Sequence, residues 1–167
     1  MTTTLIMEMV GSLEEELARV SKSFSDQSLR FIFLINNFYF IRQQLEAIWT
    51  IDDLTHFLNS LTPKINRYVH SYLQVSWAPV LKCLRNSTIH CFKRNSPLRK
   101  FESKFHKTYA AQKLWKVPDT ELRKRLREAI IGIVVSGFLE YLEDNNSITP
   151  GATPQELQEM LQELFEG

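Results

Sequence analysis

The feature that most restricts the fold is a pair of helical patterns between residues 96 and 141. Apolar residues recur there at spacings of three and four, which is the repeat of one face of an α-helix. Ser96 and Pro97 predict the start of a first helix, because serine is a good N-cap and a proline at the first helical position loses no hydrogen bond. The tripeptide Val117-Pro118-Asp119 predicts a tight corner, with Asp119 capping a second helix.

Both predicted helices have one stripe to bury and one basic side. On the first helix, Lys100, Lys104 and Lys107 recur on the helical repeat about half a turn from the stripe. We interpret the aromatic residues of the stripe as core rather than as lipid anchors, because they lie opposite the lysines. The stripe positions are Leu98, Phe101, Phe105, Tyr109 and Gln112 on the first helix, and Leu122, Leu126, Ala129, Ile130, Ile133 and Gly137 on the second.

The rest of the chain also favours helices, over about residues 5–22, 27–49, 51–58 and 62–84. Pro79 predicts a kink near Val75 and Ser76, because proline cannot donate the backbone hydrogen bond of a continuous helix. A capping box that begins at Thr153 opens a short acidic helix at the end of the chain. We therefore expect an all-α fold, an antiparallel helical bundle, forming a single domain over residues 1–167.

The predicted inward faces of the other helices follow the same spacing. They are Leu5, Met9, Leu13, Leu17 and Val20 on the first; Leu29, Ile32, Phe33, Asn36, Phe40 and Leu45 on the second; and Leu157, Met160, Leu161, Leu164 and Phe165 on the last.

The near-neutral net charge of +1 conceals a strong asymmetry along the chain. Residues 82–128 contain fourteen Lys and Arg against four acids, a net of +10, and the remainder has a net of −9. A basic surface that meets an anionic partner is one interpretation, and solvated helix faces balanced by acidic neighbours are the other. One or two of the basic residues 123–127 are expected to pair with acids of the last helix, because such pairs would offset the repulsion between neighbouring positive charges.

Catalytic and metal-binding signatures are absent from the sequence. We find no nucleophile–base arrangement, no glycine-rich phosphate loop, and no ligand spacing shared by the four histidines and two cysteines. The sequence therefore predicts a protein that is not an enzyme and binds neither a cofactor nor a metal. It also shows no signal peptide and no apolar run long enough to cross a bilayer, so we expect an intracellular protein.

Several motifs now carry a resemblance to one family. The segment Phe33-Leu34-Ile35-Asn36-Asn37 resembles the "FLxNN" helix of the exocyst subunit Exo70, and residues 112–123 are similar to that family's "Q-x-x-W-x-(V/I)-P-D-x-x-L-R" corner. Residues 71–84 and 157–167 resemble a helix and the C-terminus of plant Exo70 proteins. The motifs follow the family's order along nearly the whole chain, and the resemblance implies roughly the last quarter to third of a full member.

This resemblance implies a non-catalytic tether at the inner face of the plasma membrane. In the family, the C-terminal bundle binds phosphatidylinositol 4,5-bisphosphate through surface Lys and Arg, and partners include other exocyst subunits and small GTPases. The chain lacks the family's "KY(I/V)KYS/T"-like run before the last helix, so no site is carried over from it. The positions that match the basic helix or lie just before it are Lys93, Arg94, Arg99, Lys100, Lys104 and Lys107.

Two other functions stay open at the level of the sequence. A protein-interaction module that binds a small GTPase, a trafficking protein or a pathogen effector would be indifferent to lipid. Nucleic-acid binding is disfavoured, because no recognised motif is present and the basic residues flank a buried stripe without exposed aromatic residues for stacking.

Overall fold

A computed structural model describes residues 2–48, 52–85 and 96–167, and these residues are almost entirely helical. The helices are α1 (Thr2–Ser21), α2 (Gln27–Ile48), α3 (Asp52–Ser76), α4 (Ala78–Arg85), α5 (Pro97–Gln112), α6 (Thr120–Asp144) and α7 (Pro154–Gln162). The predicted all-α fold is confirmed. The chain divides into two compact units, Met1–Tyr72 and Leu73–Gly167, and the prediction of a single domain over residues 1–167 stays a prediction.

In the first unit, α1 packs on α2. Asp26 caps the N-terminus of α2, since its carboxylate accepts hydrogen bonds from the backbone N–H groups of Ser28 and Leu29. Lys64 of α3 reaches the carboxylate of Glu14 on α1 at 2.7 Å. Residues from all three helices are buried: Val10, Ile32, Leu34, Ile35, Phe38, Tyr39, Ile41, Leu45, Leu61, Ile65 and Tyr72.

The predicted inward face of α1 is wrong. Leu5, Met9 and Leu13 are 56%, 62% and 46% exposed, whereas Val10 and Ser21 are buried. The helix turns its other side inward, the side that also carries Glu14 and its ion pair with α3. Spacing alone did not distinguish these two sides, because each one carries apolar residues at helical intervals.

The predicted face of α2 is wrong in part, because Phe40 is 58% exposed. The segment is apolar nearly all round, so more than one stripe satisfies the helical repeat. The structure buries Leu34, Phe38 and Leu45, at intervals of four and seven.

Helices were predicted over residues 51–58 and 62–84, and the structure has its break between helices at a later position. Residues Asp52–Ser76 form one helix that contains Pro63, and α4 begins at Ala78. The helix continues through Pro63, because proline removes only one backbone hydrogen bond. Pro63 is exposed, and Leu61 and Ile65 on either side of it are buried on one apolar stripe. The predicted break near Val75 and Ser76 is confirmed, because Pro79 is incompatible with an uninterrupted helix there.

In the second unit, aromatic rings fill the space between helices. The rings of Phe101 on α5 and Phe138 on α6 are nearly parallel, with centroids 5.1 Å apart, and Trp77 packs against Phe105 at 6.0 Å. The predicted caps at Ser96, Asp119 and Thr153 are confirmed by side-chain hydrogen bonds to the backbone N–H groups of Arg99, Leu122 and Glu156. The predicted stripe of α6 is wrong in part: Leu122, Leu126 and Ile130 are buried as predicted, but Val134, Val135 and Phe138 are buried in place of Ala129, Ile133 and Gly137.

The last helix is shorter than the predicted stripe. It ends at Gln162, and residues 163–167 follow as a non-helical segment in which Leu164 and Phe165 are fully buried. Phe165 has a φ of 66°, in the left-handed region that non-glycine residues rarely adopt. A single bridge joins the backbones of Lys116 and Glu166, and it is the one β-type pairing within the described ranges.

Candidate functional site

The candidate site is the lysine face of α5, formed by Lys100, Lys104 and Lys107. All three side chains are exposed, whereas Phe101 and Phe105 on the other side of the helix are fully buried. The spacing of four and three aligns the lysines along one side over two turns. The aromatic residues are therefore core, as the sequence indicates, and the lysines face solvent.

Arg99 and the residues before α5 complete the predicted set. Arg99 is exposed but lies about 100° around the helix from Lys100, because an α-helix has about 3.6 residues per turn. Its backbone N–H donates to the Ser96 hydroxyl, which fixes the start of the helix. Lys93 and Arg94 lie outside the described residues, so their part in the site stays a prediction.

The lysine face is not neutralised by any carboxylate in the ranges 2–48, 52–85 and 96–167. The ion pairs found there involve Arg19, Arg42, Lys64, Lys113 and Arg127, and none includes Arg99 or a lysine of this face. The single acid of α5, Glu102, instead accepts a hydrogen bond from the backbone N–H of Gly151 at 2.8 Å. The α5 carboxylate thus holds the loop before α7 and leaves the lysines to solvent.

A second group of residues, which we call the C-terminal clasp, forms hydrogen bonds and ion pairs with the end of the chain. Its donors are Tyr109, Lys113 and Arg127, and its acceptors belong to residues 163–166. Arg127 donates from Nε and Nη2 to the carbonyl oxygen of Leu164 and pairs with the Glu166 carboxylate. We expected a basic residue of 123–127 to pair with an acid of the last helix. Arg127 does form an ion pair, but its partner Glu166 lies beyond the end of that helix, so the predicted location of the acid is wrong.

The other half of the clasp centres on Glu163. Lys113 Nζ and the Tyr109 hydroxyl both donate to its Oε2 atom, each at 2.7 Å. These two donors, Lys113 first, lower the pKa of Glu163, and the hydrogen bond from Arg127 lowers the pKa of Glu166. Burial raises the pKa of Tyr109, which keeps its hydroxyl protonated as a donor.

The last residue fits closely against the corner between α5 and α6. A Cβ atom at Gly167 would lie 1.8 Å from the carbonyl oxygen of Leu114, so a side chain there would require the backbone to move. The sequence pattern did not predict the clasp, because its donors and acceptors are about fifty and forty residues apart. The available signal was the i, i+4 spacing of Tyr109 and Lys113, which places both on one side of α5.

Membrane spans and metal centres are both absent from the part of the chain that the structure describes. No helix there is long and apolar enough to span a membrane. No group of three or more His, Cys, Asp or Glu side chains in those residues is positioned to hold a metal ion.

Comparison with known proteins gives a consistent set of relatives. A family model for the C-terminal part of Exo70, a component of the exocyst complex, matches residues 1–163. Exocyst complex component EXO70A3 of Arabidopsis thaliana is 26% identical over 95% of this chain and 30% of its own length. Exocyst complex component EXO70C1 of the same plant is 26% identical over 97% of this chain and 27% of its own length. Exocyst complex component 7 of Homo sapiens is 25% identical over 92% of this chain and 23% of its own length.

These relatives are several times longer than the region they share with this chain. The chain spans 30% or less of the length of each of the three. The matches therefore cover one region of those proteins, and they take in nearly all of this sequence.

Proposed function

Because the chain belongs to the Exo70 family through its C-terminal region, we propose that it acts as a non-catalytic exocyst subunit in exocytosis. In this role it tethers secretory vesicles to the plasma membrane, from a cytoplasmic position at the inner face of that membrane. Its proposed partners are other exocyst subunits, an anionic phosphoinositide surface and small GTPases. The relatives named as exocyst components support the first of these partners.

The proposed membrane contact is the lysine face, with Arg99 beside it and Lys93 and Arg94 before it in the chain. A Lys or Arg near an anionic leaflet contributes roughly 1 kcal/mol, and this attraction falls off within a Debye length. Four to six such residues together would give attachment that weakens as salt rises. Two or three of them around one phosphorylated headgroup would add charge-assisted hydrogen bonds.

One observation carries this proposal. Lys100, Lys104 and Lys107 are exposed on one side of a rigid helix and have no carboxylate partner among the residues described, whereas Lys113 just beyond the end of that helix is paired. An aligned, unneutralised set of cations on a helix whose other side is packed is a surface suited to a planar anionic partner.

Co-sedimentation with liposomes tests the proposal. The protein is mixed with neutral vesicles and with vesicles that contain phosphatidylinositol 4,5-bisphosphate, at low and at physiological salt. The Lys100→Glu/Lys104→Glu/Lys107→Glu variant is compared with Lys22→Glu/Arg67→Glu/Lys82→Glu, which has the same charge change at exposed positions on other helices and loops. Circular dichroism establishes that each variant remains helical.

We expect binding that requires the anionic lipid, is lost in the lysine-face variant and persists in the control. Equal loss in both variants would mean that net charge, and not this face, determines binding. No binding by folded wild-type protein would contradict the membrane proposal. It would favour the alternative function, a protein-interaction module that binds a small GTPase, a trafficking protein or a pathogen effector without lipid.

The alternative has one observation in its favour. Leu5, Met9 and Leu13 recur at intervals of four on one side of α1 and are 46–62% exposed, and an exposed apolar side is a feature of protein-interaction surfaces. Binding of a protein partner through α1 would survive charge reversal on α5, so the two functions separate in the same pair of variants.

A further inference from the structure

A groove between α4 and α6 lies in the second unit, away from the lysine face along the sequence. Its volume is about 470 Å³, within the range of about 300–1,000 Å³ that is usual for ligand pockets. Leu81 and Leu84 of α4 line it, together with one side of the last two turns of α6. The lining residues are Leu81, Leu84, Arg85, Gly137, Glu140, Tyr141, Asp144 and Asn145.

Helical spacing explains why these residues line one groove. Gly137, Glu140, Tyr141 and Asp144 recur at intervals of three, one and three, so they share one side of α6. Glycine at 137 lets the helices approach closely, because a Cβ atom there would lie 2.7 Å from the Leu81 side chain. The lining therefore combines the apolar side chains of Leu81 and Leu84 with the carboxylates of Glu140 and Asp144.

The carboxylates of the groove outnumber its basic residues, because Glu140 and Asp144 line it together with Arg85. Glu140 and Asp144 occupy the C-terminal turns of α6, where the helix dipole disfavours negative charge and where no basic residue lies in the last turn. Neither forms an ion pair within the described part of the chain. The two carboxylates and Arg85 leave the lining with a net charge of −1, which favours one added cation.

The rest of the groove defines that cation more closely. An Arg or Lys side chain has an apolar stem and a charged end, which match the leucines and the carboxylates respectively. Tyr141 lies between the two acids in sequence and also lines the groove, and an aromatic ring attracts a guanidinium group. Arg85 supplies one positive charge against the two carboxylates of the lining, which fits a single basic anchor rather than a polybasic tract.

We propose that this groove binds a partner protein through one Arg or Lys that is flanked by apolar residues. The aliphatic stem lies on Leu81 and Leu84, and the charged end meets Glu140 and Asp144. The groove shares no residue with the lysine face, so the proposed cation-binding surface and the proposed anion-binding surface are distinct.

A peptide probe tests the assignment. The probe is a fluorescein-labelled, capped hexapeptide, Gly-Leu-Arg-Leu-Gly-Gly, and its matched control carries citrulline in place of arginine, which removes the charge and keeps the shape. Fluorescence anisotropy with the full chain gives the affinity at low and physiological salt. Amide shifts in ¹⁵N-labelled protein show which residues the probe contacts.

The variants isolate the carboxylates. Glu140→Lys/Asp144→Lys reverses the two carboxylate charges, Glu140→Gln/Asp144→Asn neutralises them with less risk to folding, and Glu15→Lys/Glu128→Lys makes the same charge change at exposed positions elsewhere. We expect at least tenfold weaker binding for both groove variants and for the citrulline peptide, and less than twofold change for the control variant.

The opposite results are equally decisive. Equal affinity for the arginine and citrulline peptides, or equal loss in the groove and control variants, would overturn the proposal. Failure of folded wild-type protein to bind the arginine peptide, with no amide shifts at residues 81–85 or 137–145, would overturn it as well. None of these outcomes depends on vesicle binding, so this proposal and the membrane proposal fail independently.

Discussion

The lysine face and the C-terminal clasp contain the same types of residue and use them in opposite ways. Lys100, Lys104 and Lys107 extend from α5 into solvent, whereas Lys113 at the end of that helix and Arg127 on α6 bind the end of the chain. The difference lies in what the fold places nearby. Residues 163–166 return to the end of α5 and bring two carboxylates and a carbonyl oxygen with them.

The basic residues of one segment of sequence can therefore have two different roles in the folded chain. A run of Lys and Arg that is uniform in the sequence separates in the folded chain into charges that stabilise and charges that remain available for a partner. Mutations in the two sets should therefore affect different properties: stability for the clasp and binding for the lysine face. Four predictions test that separation, and they are given in order of decreasing effect.

Removal of the packing beneath the lysine face should have the largest effect on stability. Phe101 is fully buried, and its ring lies 5.1 Å from that of Phe138. Phe101→Ala should lower the free energy of unfolding by about 3–5 kcal/mol, through lost burial and the cavity that remains. Urea denaturation gives the value, and Lys100→Ala, one position away, is the control, expected to change it by less than about 0.5 kcal/mol. Equal effects would mean that α5 does not pack as described.

Loss of the Arg127 side chain should have the next largest effect. Arg127→Met removes two hydrogen bonds to the Leu164 carbonyl and the pair with Glu166, from a site where the guanidinium is only partly exposed. The expected loss in unfolding free energy is about 1.5–3 kcal/mol, the range for hydrogen bonds that involve a charged group. Arg127→Lys should recover part of this loss, because an ammonium cannot reproduce the two-pronged geometry.

A Met variant as stable as wild type would show that the clasp contributes no stability. The same substitution at Lys107 is the matched control and should have little effect, since no carboxylate partner of Lys107 is found in the described ranges. Thermal unfolding by circular dichroism at neutral pH measures both variants alongside the wild type.

The clasp also predicts a dependence of stability on pH. The pKa values of Glu163 and Glu166 are lowered in the folded chain, so the unfolded chain binds more protons as the pH falls towards their ordinary value of 4.5. Their contribution to stability is therefore present above about pH 4.5 and is lost as the pH falls through the lower, folded pKa values. Urea unfolding of wild type and of Glu163→Gln between pH 3 and 7 should show curves that converge at the acid end. A constant difference between the two curves would contradict this assignment.

The lysine face should have the smallest effect on stability. Neutralisation in Lys100→Gln/Lys104→Gln/Lys107→Gln should change the free energy of unfolding by less than about 0.5 kcal/mol for each substitution, because exposed charges without partners contribute little. The same variant should bind vesicles that contain phosphatidylinositol 4,5-bisphosphate more weakly than wild type. A large loss of stability would mean that the lysines have structural partners, and the contrast with the clasp would disappear.

Local chemistry accounts for the parts of the fold that could be predicted from the sequence. The caps at Ser96, Asp119 and Thr153 and the break before Pro79 depend on a few neighbouring residues, and all four are confirmed. The buried stripe of α5 was also predictable, because its polar and apolar sides are clearly separated. The stripe of α2 was not, since a segment that is apolar nearly all round leaves the helical repeat ambiguous, and Phe40 was assigned to the wrong side.

The candidate sites also differ in whether local sequence or tertiary packing forms them. The lysine face depends on the period of one helix, so its alignment is visible in the sequence. The clasp and the groove are each made by residues about forty to sixty positions apart, and no local pattern brings Arg127 to Leu164 or Leu81 to Gly137. The exposed side of α1 was mispredicted for the same reason, because burial there depends on the helices that pack against it.

The sequence by itself thus determined that the chain is helical, where most of its helices begin, and that three lysines share one side of α5. Helix caps, proline positions and apolar repeats act over one or two turns, so they act before any helix meets another. Only the tertiary structure decided which apolar side is buried, which basic residues are neutralised and where a groove opens. Those outcomes depend on the surface that each helix finds opposite it, and the packing of distant segments sets that surface.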